Sequence, residues 1–279
     1  MPNRFLDRIL SLARPAMPAI AAFFFSIEAP AAQDSVDLEL VLAVDVSRSM
    51  DFVEQQLQRE GYSQAFRSPE VIEAITSGLT GRIAVTYMEW AGDTIQRVVV
   101  PWTIIHDAGT AAGFADALAL QAPQRLSRTS ISGAIMAAGA LFGKSGATAM
   151  RKVIDVSGDG PNNQGMPVTL LRDEWVRQGV VINGLPLMIG TSSFGFGIDN
   201  LDAYYRDCVI GGPGSFVLSV YTWEEFPRAV RRKLVLEIAG IVPEPAESNL
   251  VQLAQSEAEV DCLVGERIWE RRMRDLEWQ

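Results

Sequence analysis

The stretch from Leu38 to Asp45 constrains this chain most. Short apolar residues run from Leu38 to Val44 and stop at a carboxylate, Asp45. Such a run reads as a buried strand of a parallel sheet. Ser47 and Ser49 follow at alternating positions in the loop that leads to the next helix. In an open α/β sheet, ligands bind just beyond the carboxyl ends of the strands. The spacing lets Asp45, Ser47 and Ser49 turn their oxygens toward one point. One carboxylate and two neutral hydroxyls suit a small hard cation such as Mg²⁺, which takes oxygen ligands and retains water. A plainer reading is a strand end followed by a helix N-cap, because Asp and Ser both cap helices well.

The other elements decide which fold holds that strand. Helical patterns follow at 51–67, with an interruption near Gly61, and after Pro69. Strands are expected at 82–90 and 96–105, and the short Gly92-Asp93 turn makes them an antiparallel hairpin. Pro101 places the second of these at a sheet edge. Helices at 110–121 and 131–142 precede a strand at 151–156 that ends near Asp159. A helix at 167–178, a strand at 180–189, a short helix at 201–208, a strand at 215–221 and a helix at 223–239 complete the body. Strands alternating with helices predict a doubly wound, mostly parallel, six-stranded sheet with one antiparallel edge strand and helices on both faces. The strand before Asp159 should lie beside the first, since the hairpin takes the other side. Asp45, Ser47, Ser49, Thr129 and Asp159 then converge on one rim. A cation held by so few charged groups stays electrophilic, and can grip an acidic side chain of another protein.

Residues 1–32 read as a signal peptide. Arg4, Arg8 and Arg14 form a positive start, Ala16 to Ile27 an apolar stretch, and Ala29-Pro30-Ala31-Ala32 a cleavage site. The apolar stretch is short for a membrane span, although a retained anchor is the alternative. No transmembrane segment is expected in the mature chain, so a periplasmic or secreted bacterial protein follows. The formal charge of −10 argues against nucleic acid and against an anionic membrane surface as partners. Cys208 and Cys262 are the two cysteines of the chain, and an oxidising compartment favours one disulfide between them over two buried thiols. Residues 35–240 form the body. Residues 241–279 read as a linker and a helical extension, tied back by that disulfide.

Enzymatic readings find little support. The one histidine, His106, falls past the edge strand, and no Gly-x-Ser-x-Gly elbow is present. Zinc-type ligand spacing and phosphate-binding glycine motifs are lacking. Metal-assisted hydrolysis at Asp45 is conceivable, but such sites usually hold more carboxylates or two metals. Trp90, Trp102 and Trp223 read as core or sheet-edge residues. Glu89 and Asp155, charged residues inside strands, call for helix dipoles or basic partners.

With those motifs in order, the chain resembles a von Willebrand factor A domain with a metal-ion-dependent adhesion site. Asp45-x-Ser47-x-Ser49 matches the first motif, Thr129 before an Ala-rich helix the second, and Asp159-Gly160 the third. Residues 204–214 and 261–266 resemble pieces of an exported bacterial subgroup without an assigned function. The resemblance implies a Mg²⁺ (or Mn²⁺ or Ca²⁺) site in which Ser47 and Ser49 ligate directly. Thr129 would ligate directly or through water, and Asp45 and Asp159 would act largely through water and hydrogen bonds. It implies a non-enzymatic binding module whose protein partner offers an acidic side chain; a structural module without metal is the alternative. Two positions depart from the pattern: Arg128 replaces glycine before the threonine, and Gly158 replaces threonine before the last aspartate.

Overall fold

The computed structural model describes residues 34–122, 124–189, 197–243, 251–253 and 260–277. The expected signal peptide, the 190–196 loop and most of the linker after Pro243 lie outside them.

The chain runs β1 (Asp34–Asp45), α1 (Phe52–Phe66), α2 (Pro69–Thr76), β2 (Ile83–Trp90), β3 (Gln96–Ile105), α3 (Ala108–Ala119) and α4 (Ile131–Gly139). It continues through β4 (Ala147–Gly158), α5 (Val168–Arg177), β5 (Val180–Pro186) and α6 (Leu201–Tyr204), which passes into a π-turn at Tyr205–Val209. β6 (Phe216–Leu218), α7 (Phe226–Ala239), β7 (Val251–Leu253) and α8 (Val264–Glu277) follow. The sheet order is β3-β2-β1-β4-β5-β6-β7. β2, β1, β4, β5 and β6 are parallel, and β3 is the antiparallel edge. The doubly wound sheet is therefore borne out, and β4 lies beside β1 as the topology requires.

Two features differ from the sequence-based expectation. A seventh strand, β7, pairs antiparallel with β6 in a region expected to be helical. It covers an edge that would otherwise expose unpaired backbone groups. Helix α1 is continuous through Gly61. A Cβ there would come 2.6 Å from the Phe226 ring, so the glycine serves a close approach of α7 and not a break.

The sheet buries both faces. Leu38, Leu40 and Leu42 of β1 pack with Tyr62 and Phe66 of α1, Phe114 of α3 and Phe226 and Leu234 of α7. Val41 and Ala43 face the other way, toward Ile131 and Ile135 of α4 and Tyr204 and Tyr205 beyond β5. This alternation is the period of a strand read from both sides. The charged strand residues have partners. Glu89 receives Arg59 Nε and Arg97 Nη2, each at 2.9 Å. Asp155 lies 2.6 Å from Lys233 Nζ, which also pairs with Glu237 one turn along α7.

Candidate metal centre

β1 delivers Asp45 to the rim fully buried. The backbone N–H of Ser47 donates to Asp45 Oδ1 at 2.7 Å, which folds the loop back over the strand end. The hydroxyls of Ser47 and Ser49 lie 2.8 Å apart, and Ser49 donates to Asp159 Oδ1 at 2.6 Å. A continuous set of oxygens thus connects the first loop to the loop after β4. Capping does not account for it. Helix α1 is capped by Asp51, which accepts from the Val53 and Glu54 N–H groups while Glu54 returns a bond to the Asp51 N–H. This is a complete capping box, and it leaves Asp45, Ser47 and Ser49 outside the helix terminus.

The electrostatics are those of a place short of positive charge. Burial pushes the Asp45 carboxyl well above its usual range, and the neighbouring Asp159 carboxylate adds to the shift; the N–H groups of Ser47 and Asp159 pull the other way. Burial likewise raises Asp159 to about 6, against the opposing hydrogen bond from Ser49. Asp45 Oδ2 is buried with no hydrogen-bond partner. A buried anion without a partner is costly, and a cation relieves that cost. Two carboxylates and a cluster of hydroxyls form an oxygen-only donor set, which fits a hard divalent ion.

Thr129 stands beside this set and is not part of its hydrogen-bonded chain. Its loop is joined to the others through the backbone. Leu126 N–H donates to the Val46 carbonyl at 3.0 Å. Thr129 N–H donates to Asn163 Oδ1 at 3.0 Å, and Asn163 N–H returns to the Thr129 carbonyl at 2.8 Å. Ser132 N–H donates to Asn162 Oδ1 at 3.0 Å, and Ser130 caps α4 through the Gly133 N–H. Asn162 and Asn163 hold two rim loops in register. They were not singled out from the sequence; paired amides directly after the Asp159 turn were the available signal.

The C-terminal helix closes one side of the rim. Asn162 Nδ2 donates to Glu266 Oε1 at 2.7 Å, and a Cβ on Gly265 would meet the Asn162 carbonyl. The disulfide joins Cys208, within the π-turn, to Cys262, before α8. Arg128, beside the candidate site in sequence, is engaged elsewhere. Its guanidinium stacks 3.3 Å from the centroid of the Trp269 ring on α8. The residue holds φ +78°, a region where glycine is at ease and arginine is strained. Arg128→Gly should therefore relieve strain and lose the stack, effects of about 1 kcal/mol each. Global stability should change by less than about 1 kcal/mol, while limited proteolysis at the arginines of α8 accelerates.

The family model described as a protein of unknown function, DUF1194, matches residues 35–242. No curated protein matches the chain. Among solved structures, proximal thread matrix protein 1 from the mussel byssus aligns with a TM-score of 0.54 at 14% identity, covering 75% of this chain and 49% of that one. The same mussel protein with a zinc-occupied MIDAS motif aligns at 0.53 and 15% identity, covering 74% and 47%. The von Willebrand factor type A protein from Catenulispora acidiphila gives 0.51 at 14%, covering 73% and 43%. The pilus adhesin SpaC from Lactobacillus rhamnosus GG gives 0.52 at 12%, covering 79% and 32%. The chain spans about half or less of each of these proteins, and at such identities the likeness concerns the fold. The chain belongs to the family described as protein of unknown function DUF1194, and its fold is that of a von Willebrand factor A domain.

Proposed function

We propose that the chain is a non-enzymatic, divalent-cation-dependent protein-binding module of the bacterial envelope, exported to the periplasm or secreted. The observation that carries this reading is the joined set Asp45, Ser47, Ser49 and Asp159, in which Asp45 is buried with Oδ2 unpaired and neither carboxylate has a basic partner among the described residues. Ser47 and Ser49 would ligate the ion, Thr129 would complete the set from the adjoining loop, and Asp45 and Asp159 would supply charge. The bound ion would act as a Lewis acid toward a carboxylate of the partner, with Mg²⁺ the expected metal and Mn²⁺ or Ca²⁺ its substitutes. The zinc-occupied motif of the mussel protein and the adhesin role of the pilus protein support the reading by analogy. His106 follows the end of β3 that pairs with the start of β2, opposite the rim, and so offers no base to the site. The disulfide accords with an oxidising compartment. Among the described residues, no helix is long and apolar enough to cross a membrane.

Calorimetric titration with Mg²⁺ and Mn²⁺ tests this. Saturable binding is expected, weakened more than tenfold by Ser47→Ala. Binding that is absent at millimolar metal, or unchanged in that variant, would leave a structural module without metal.

A further inference from the structure

Tyr205 belongs to none of the rim loops, yet its phenol and the Asp45 carboxylate border the same residue, Gly158. It opens the π-turn beyond α6 and is fully buried. Its ring passes Gly184 on β5, where a Cβ would come 2.7 Å from the ring edge. Its hydroxyl arrives over Gly158, the last residue of β4. A Cβ on Gly158 would stand 2.9 Å from that hydroxyl and 2.9 Å from Asp45 Oδ2. Two glycines on adjacent strands therefore open a slot, and both oxygens border its end at Gly158. Both atoms are buried and have no hydrogen-bond partner. A phenol is a donor, a carboxylate oxygen is an acceptor, and buried groups of both kinds are normally paired. Asp45 Oδ1 is already held by the Ser47 N–H. The unfilled requirement is a donor on the opposite side, and Tyr205 is the side chain placed to meet it.

We infer that Tyr205 is a positioning residue of the cation site, its hydroxyl donating to Asp45 Oδ2 and so fixing the carboxylate with Oδ1 aimed at the Ser47 loop. The inference rests on the cation reading above for its consequence, but not for the contact itself. Groups that orient a metal site from behind typically change affinity by about 10–100-fold when removed. The position of Tyr205 is set in turn by its own turn, which ends beside the Cys208–Cys262 bridge.

The test uses the oxidised, full-length protein and the isosteric variant Tyr205→Phe. Calorimetry with Mn²⁺ should show affinity about tenfold lower in the variant. In metal-free buffer, Tyr205→Phe should lower the urea midpoint, and that shift should vanish in an Asp45→Ala background, because the acceptor is gone. Unchanged Mn²⁺ affinity overturns the inference. So does an equal midpoint shift in both backgrounds, which would mean that the hydroxyl serves packing alone. A wild-type chain that binds no Mn²⁺ overturns the cation reading instead, and the metal-free cycle still decides whether the hydroxyl holds Asp45.

Discussion

Lys233→Met is expected to lower the free energy of unfolding by about 3–5 kcal/mol at pH 8, the usual cost of leaving a buried ionic group without its partner. Lys233 is fully buried on the inner face of α7. Its Nζ lies 2.6 Å from Asp155 Oδ1 on β4 and pairs with Glu237. Asn183 on β5 completes the arrangement. It donates to Glu237 at 2.9 Å and accepts from the Phe216 N–H at 3.1 Å. The lysine is therefore shared by two carboxyl groups between α7 and the centre of the sheet. Burial raises Glu237 to about 7, the nearby Asp155 carboxylate adds to the shift, and Lys233 opposes it. A carboxyl whose folded value lies above its ordinary 4.5 binds protons more tightly when folded. Its contribution to stability is thus largest below about pH 4.5 and is lost as pH rises through about 7. Without Lys233 both carboxyls rise further, so the loss should be smaller at pH 5 than at pH 8. Urea denaturation at the two pH values measures this. A cost below about 1 kcal/mol at both would show that the lysine does not neutralise the pair. Adding Glu237→Gln should recover part of the loss at pH 8.

The parts of this molecule that were legible in the sequence are those carried by periodicity and by position after a strand. The apolar run ending at Asp45 marked β1, Pro101 marked the edge strand, and the short turn at Gly92 marked the hairpin; each is a local signal with a local cause. The candidate site was legible because the parallel order brings the loops after β1 and β4 together, which places Ser49 on Asp159. Long-range pairing was less legible. Gly61 reads as a helix break until Phe226, far along the chain, is seen against it. Glu89 and Asp155 looked anomalous because their cations, Arg59, Arg97 and Lys233, come from other elements. Arg128 and Gly158 looked like departures beside the expected cation. The structure gives each a partner that no motif encodes: Trp269 on α8 for Arg128, and the Tyr205 hydroxyl in the space above Gly158. β7 was missed because three residues carry too little pattern, and its pairing depends on the free edge of β6.

Removing the disulfide by Cys208→Ala with Cys262→Ala should free α8 while leaving the sheet folded. The bridge spans a sequence separation of 54, for which loop closure supplies about 4 kcal/mol. What remains for α8 is modest. Its contacts with the body include the Glu266–Asn162 hydrogen bond, the stack of Trp269 with Arg128, Gly265 on the Asn162 carbonyl and Val264 against the core. A helix of 14 residues is marginal alone in water, and those contacts add about 1 kcal/mol each. The body keeps its own two-faced core, in which α1, α3 and α7 cover one side of β1 and α4 the other. Hydrogen exchange should therefore separate the two. Amides of α8 should exchange several hundredfold faster in the double variant, the equivalent of about 3–4 kcal/mol, while those of β1 and β4 change far less. Protection of α8 that survives both the substitutions and added reductant would mean that the contacts with Arg128 and Asn162 suffice. Loss of protection confined to α8 would mean instead that one wall of the candidate rim is held in place by a disulfide across a sequence separation of 54, and that its non-covalent contacts only set its orientation.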